Sequence, residues 1–229
     1  MARLSLWYEC QPFKVTQKWG VYDPVTYGPF GFSRHNGTDC QHGYNSRLRA
    51  PFPFQVYKTL WQPEGGGKVL SIVSLEKYDF PDGKKCHVLL DYLHLDKYIK
   101  TQGQGMTGDL IAIAGNTGAA STGPHCHIQA RRVKKSGSNW VDLDKNDANG
   151  SFDQLPYYNG LYAVNYKAPV APVLVPTSPT EGLEHITAAV AQAAVELGDI
   201  ELQPEPQRSA ILALWKQVLE AFTKLLTKG

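Results

Sequence analysis

Two histidines flank a cysteine in STGPHCHIQ, residues 121–129, directly behind a Gly-Pro turn. In an extended strand, residues i and i+2 point the same way, so His125 and His127 would share one site while Cys126 faces the opposite layer. Neutral imidazole is the commonest protein ligand for metals, and this spacing suits a metal centre. Two other stretches carry related chemistry. HNGTD supplies His35 and Asp39. Its Asn36-Gly37 pair argues against a helix; a loop entering a strand, folded tightly at Gly37, would let both side chains reach one point. YLHL places His94 in an otherwise apolar strand, where a lone histidine is more often a satisfied core residue.

Together these segments offer four imidazoles and one carboxylate. A catalytic zinc takes three protein ligands from His, Asp or Glu and keeps a fourth position for water. Two histidines are then left over, and hydrolysis has work for both. One can take the proton of the attacking water, and the other can orient that water or stabilise the developing oxyanion. This arithmetic points to a zinc hydrolase without fixing which histidine does which.

The elements H-x-G-x-D (His35, Gly37, Asp39), Y-x-H-L (Tyr92, His94, Leu95) and G-x-T-G-x-x-S-T-G-P-H-x-H (Gly115 to His127) occur in that order. The set resembles the lysostaphin/LytM-type zinc endopeptidases, which cut peptide cross-links of bacterial peptidoglycan. The run Gly-Asp-Leu-Ile-x-Ile-x-Gly at 108–115 is similar to that family's strand leading into the last motif. Residues 15–133 are covered. The resemblance implies Zn2+ held by His35, Asp39 and His127, with His94 and His125 as non-ligand catalytic histidines. It also implies a mainly β fold, an antiparallel sheet whose loops wall an open groove for an extended peptide. Cys126 stands where the family usually has leucine, and Cys40 where isoleucine is common. Strand alternation puts both away from the metal, as core packing. His42 and His87 match nothing in the motifs and read as ordinary polar or core residues.

The elements that must position these residues are strands. Over the first two-thirds of the chain long helical patterns are scarce, and KVLSIVSL (68–75), CHVLLDYLHL (86–95), DLIAIAG (109–115) and HCHIQARRV (125–133) are separated by Gly- and Pro-rich turns. With no helices between them, they predict an antiparallel sheet. Composition then breaks at APVAPVLVPTSPT, which gives a peptidase domain over 1–167, a Pro-rich linker over 168–181 and a helical segment over 182–229. The last holds two amphipathic patterns split by Pro-Glu-Pro, a C-terminal α-helical hairpin. Its apolar stripe suits a homo-oligomer or docking to virion tail proteins more than membrane contact.

Charge is near balance, 23 Lys+Arg against 21 Asp+Glu, which argues against a nucleic-acid partner. The basic run Arg131, Arg132, Lys134, Lys135 reads as a solvated loop that could meet anionic wall polymers. Four cysteines without a CxxC pair read as reduced core residues. The amino terminus MARLSLWYECQPF holds no apolar run long enough for a signal peptide. The expectation is therefore a protein made in the host cytoplasm that acts at the bacterial cell wall, as a phage lysin or virion-associated tail enzyme. The competing expectation is a non-catalytic structural or scaffolding virion protein on the same fold. Such a protein should lack at least one of the five site residues, and all five are present.

Overall fold

Runs rich in β-branched and aromatic residues form fourteen strands across the residues that this computed structural model describes, 2–41 and 46–166. In chain order they are β1 (Leu6–Tyr8), β2 (Lys14–Gln17), β3 (Thr38–Gln41), β4 (Arg47–Arg49), β5 (Phe54–Gln62), β6 (Gly67–Ser74) and β7 (Tyr78–Asp79). There follow β8 (Lys85–Tyr98), β9 (Gln104–Gly105), β10 (Leu110–Ala114), β11 (Cys126–Ser136), β12 (Asn139–Asp142), β13 (Ser151–Phe152) and β14 (Tyr158–Tyr162). One short helix, α1 (Pro24–Tyr27), precedes β3. The linker expected at 168–181 and the helical hairpin expected at 182–229 lie outside the described residues, as does His42. No helix among the described residues is long and apolar enough to cross a membrane.

Twelve strands share one sheet along the path β2-β3-β11-β8-β6-β5-β9, with β10 and β7 on β8, β4 on β10, and β12 and β13 on β11. Its pairings are antiparallel, as turn-separated strands without crossover helices require. β1 and β14 form a separate parallel pair. The four strands expected from sequence are β6, β8, β10 and β11.

β6 and β8 lie mid-sheet and are covered on both faces, which is why their sequences run apolar without strict alternation. On one face Leu70 and Ile72 pack with Val88, Leu90, Tyr92, Ile128 and Ala130 over Phe52 and Phe54. On the other, Val73, Leu89 and Val133 form a smaller cluster with Tyr57 and Trp140. Each large apolar side chain fully buried contributes about 1.5–3 kcal/mol, so a one-residue slip that exchanged the faces would be costly.

The basic stretch at 131–135 is not a loop. β11 continues through it to Ser136, and two of its charges are tied down. Arg131 bonds Asp91 at 2.5 Å and Asp142 at 3.0 Å, while Arg132 bonds Asp144 at 2.6 Å and Asp82 at 2.7 Å. Inside the core, all four cysteines are buried and outside any disulfide. A carboxyl is buried there too. Glu9 accepts from the Tyr158 hydroxyl at 3.0 and 2.9 Å and from the Tyr92 hydroxyl at 3.3 Å. Desolvation pushes its pKa from 4.5 up to about 8, against these bonds and one from its own backbone.

Candidate metal centre and groove

The pairing of β3 with β11 sets Asp39 opposite His127 and Cys40 opposite Cys126. Alternation then sorts the four. The cysteines join the core, and Asp39 and His127 face a groove on the other side of the sheet. His35 precedes Asp39 by four residues, where the chain enters β3 as a loop. Gly37 permits this approach, since a Cβ there would lie 2.4 Å from His127 Nε2 and 2.6 Å from the Ile128 carbonyl oxygen.

Three atoms meet as a result. Asp39 Oδ1 lies 2.9 Å from His127 Nδ1 and 3.2 Å from His35 Nε2, and the two nitrogens are 3.1 Å apart. The Lys18 carbonyl stands 2.9 Å from His35 Nδ1. A carbonyl only accepts, so Nδ1 carries the proton and Nε2 presents its lone pair to the cluster. Two acceptor sites, His35 Nε2 and the Asp39 carboxylate, thus meet the His127 Nδ1 atom within 3.2 Å, a cluster that a cation would tie together. Tetrahedral zinc with bonds of about 2.0–2.1 Å would hold its ligand atoms about 3.3 Å apart, close to this triangle. The three side chains form the metal-capable group among the described residues. His127 Nε2 is buried without a hydrogen-bond partner, so the ring makes its polar contacts through Nδ1.

The electrostatics agree. Burial by itself would raise the Asp39 carboxyl, but the His127 and His35 rings against it outweigh that and hold the group well below the usual carboxylate range. Burial pulls His127 downward against the opposing effect of Asp39. Carboxylate and neutral imidazole are the forms a metal binds.

His94 reaches the groove by another route. Val88, Leu90 and Tyr92 of β8 point into the core, and regular alternation would send His94 after them. The ladder to β6 slips here: Leu70 pairs with Tyr92, but Lys68 pairs with Leu95. His94 takes up the extra residue with φ of 62°, in the left-handed region that non-glycine residues seldom enter. The ring therefore lines the groove, and Leu95 returns to the core. Thr117 mends the ladder at this bulge. Its hydroxyl accepts from the Lys68 N–H at 2.9 Å and donates to the Leu95 carbonyl at 2.7 Å. Its own carbonyl accepts from His94 Nδ1 at 2.9 Å. The next residue, Gly118, must lack a side chain, because a Cβ would sit 2.2 Å from the Gly67 nitrogen.

His125 is fixed similarly. The Gly123 carbonyl, in the Gly-Pro turn, accepts from His125 Nδ1 at 2.7 Å. In the neutral ring Nε2 then holds the lone pair, 3.8 Å from Asp39 Oδ1. The His94 and His125 rings are 4.7 Å apart. Burial, opposed by the Thr117 carbonyl and aided by the neighbouring histidines, pulls His94 from 6.5 down to about 4. It is a neutral ring at neutral pH.

All five residues singled out in the sequence floor one open groove of about 520 Å³. One wall carries Tyr27, Phe30 and Phe32, and another Gly65 and Gly66. The aromatic wall is shaped by α1, where Asp23 Oδ1 accepts from the Thr26 N–H at 3.0 Å and Pro24 opens the first turn. Tyr27 stacks on His35 with centroids 5.6 Å apart, and Gln17 donates to its hydroxyl at 2.7 Å. Sequence reasoning missed Tyr27 and the groups that orient the rings. Thr117 was signalled by the G-N-T-G turn, but the carbonyls of Lys18, Thr117 and Gly123 leave no mark in residue type.

Neither protein-family models nor curated proteins match this chain. Solved structures do. LytU is 27% identical with a TM-score of 0.46, covering 64% of this chain and 85% of that one. The catalytic domain of the antimicrobial peptidase lysostaphin from Staphylococcus simulans is 23% identical with a TM-score of 0.46, covering 66% and 97%. A zinc-containing peptidase from Vibrio cholerae is 25% identical with a TM-score of 0.45, covering 63% and 40%.

Proposed function

We propose that this chain is a zinc-dependent endopeptidase that hydrolyses peptide cross-links of bacterial peptidoglycan. One observation carries the reading: His35 Nε2, Asp39 Oδ1 and His127 Nδ1 converge at 2.9–3.2 Å on the floor of an open groove, beside two orientation-fixed histidines. The motif resemblance supplies the substrate class.

His35, Asp39 and His127 would hold the ion. When bound, zinc polarises the scissile carbonyl and makes nearby water more acidic. His125 Nε2, the lone-pair nitrogen of the tautomer that the bond from Nδ1 to Gly123 selects, takes the proton of the attacking water and returns it to the leaving amine. His94, neutral and held by Thr117, accepts a hydrogen bond from that water through Nε2 and fixes its approach. Because the groove is open rather than a closed pocket, an extended peptide can lie along it, shielded on one side by Tyr27, Phe30 and Phe32. The same proposal sets the enzyme in a phage lysin or tail, with residues 182–229 docking to virion proteins or to copies of the chain.

Digestion of purified peptidoglycan, with new amino termini identified by mass spectrometry, tests the reading. Cross-link cleavage should vanish on chelation and return with zinc. A scaffold on this fold would release no new termini.

A further inference from the structure

A second concavity lies at the far end of β11. Lys77 before β7, Lys84 and Lys85 around the start of β8, and Lys134 and Lys135 near the end of β11 line one trough of about 480 Å³. The lysines come from the turn before β7, the start of β8 and the end of β11; alternation puts Lys134 and Lys135 on opposite faces of β11, so the lysines rim the trough from both sides. Of the nearby acids, Asp79 is the register partner of Lys85 and leaves Oδ2 without a hydrogen-bond partner, while two others are engaged. Asp144 and Asp82 bond Arg132 at 2.6 and 2.7 Å, and Lys84 reaches Asp82 at 3.5 Å. Lys77, Lys85, Lys134 and Lys135 are exposed and have no ion-pair partner among the described residues. Glu76 beside Lys77 offsets part of this charge. Since the whole chain carries a formal charge of only +2, this corner is a concentrated asymmetry.

The floor of the trough is fixed. His87 Nδ1 donates to the Ser74 carbonyl at 2.8 Å, its ring meets Trp140 edge-on at 4.8 Å, and Lys135 lies 6.0 Å over the indole. We infer that the trough docks a phosphate-bearing anionic polymer of the bacterial wall. The choice of partner rests on the proposed action at that wall, and the chemistry rests on the charge. Several ammonium groups in one trough engage successive phosphates of a linear polymer together, so weak single contacts combine. A single-stranded nucleic acid would want aromatic faces open for stacking, and Trp140 is covered by His87 and Lys135. A bilayer would want an exposed apolar wedge, whereas Val133 is buried and Trp140 half-buried here. β11 also carries His127 near its start, so the trough and the metal centre sit on one strand about 26 Å apart. Docking at one end presents the groove to the wall at the other.

The experiment measures co-sedimentation of the full chain with purified Gram-positive walls. One portion is intact, and another is stripped of phosphodiester-linked polymer by hydrofluoric acid. The comparison protein carries Lys77→Gln, Lys85→Gln, Lys134→Gln and Lys135→Gln. Binding to intact walls should weaken about tenfold in the variant, fall with added salt, and be lost by both proteins on stripped walls. Unchanged thermal unfolding and unchanged cleavage of a soluble cross-link peptide would show that fold and active site are intact. Equal binding by the two proteins, or equal binding to stripped and intact walls, overturns the inference. So does tighter binding to phosphatidylglycerol vesicles or to an oligonucleotide than to intact walls. Sedimentation needs no turnover, so a protein that binds walls without cutting them would refute the proposed activity and leave the trough standing.

Discussion

β11 and β8 each deliver a histidine to the same groove, and they do so by opposite means. β11 follows the rule of its pleat: Cys126, Ile128 and Ala130 go to the core, and His127, Gln129 and Arg131 to the groove. β8 keeps that rule through Tyr92 and then breaks it, spending a left-handed residue to send His94 to the groove. The difference matches the two proposed roles. A metal ligand must meet partners at fixed spacing, which a regular cross-strand pair provides. A histidine that acts on water has to stand beside that cluster, and a bulge re-aims a side chain where the regular lattice offers no position.

The largest expected effect separates the two strands by function. His127→Ala or Asp39→Ala should lose zinc and lower activity by about 10³-fold or more. His94→Ala should keep one zinc per chain and still lose about 10²–10⁴-fold. Metal analysis beside a cleavage assay reads both. Zinc lost from the His94 variant would erase the distinction between the strands.

A smaller effect tests the bulge itself. Thr117→Val keeps the shape but removes the hydroxyl that serves the Lys68 N–H and the Leu95 carbonyl, at about 1–3 kcal/mol for each group left unpaired. Denaturant unfolding should show that loss. Zinc content should hold, and kcat should fall about tenfold as His94 loosens. Unaltered stability would mean that the bulge stands without its mend.

How far sequence reached follows the same division. The alternation of His125, Cys126 and His127 could be read from the chain, and β11 sits as expected because each residue type there agrees with the face it occupies. His94 carried the opposite signal, a polar residue in an apolar row, and only the motif resemblance marked it for the groove. Nothing in its residue type announces a φ of 62°. Arg131 and Arg132 misled in another way. Their partners Asp91, Asp82, Asp142 and Asp144 come from segments that only the folded sheet brings near, so a run of charge looked like a loop.

The smallest expected effect concerns the core face behind both strands. The folded Glu9 carboxyl keeps its proton up to about pH 8, while the unfolded chain releases it near 4.5. Its stabilising effect is therefore complete below pH 4.5 and is lost as pH rises through about 8. Glu9→Gln removes this dependence. Thermal melts of both proteins from pH 5 to 9 should diverge, the wild type losing on the order of a few kcal/mol relative to the variant. Parallel profiles would place the carboxyl in contact with water.

The β3–β11 pairing also bears on when the proposed ion would bind. Asp39 and His127 are 88 residues apart in the chain, and each local segment offers at most a pair of ligands. An unfolded or half-made chain thus has no three-point grip on zinc, and closing so long a loop around the ion would carry its own entropic cost. On the proposed zinc reading, the sheet would form first and the ion follow. Zinc at the proposed site would act by mass action on that fold, adding about 2.7 kcal/mol when its free concentration is a hundred times its dissociation constant. Metal supply in the surroundings would then add to the stability of the fold without having to template it.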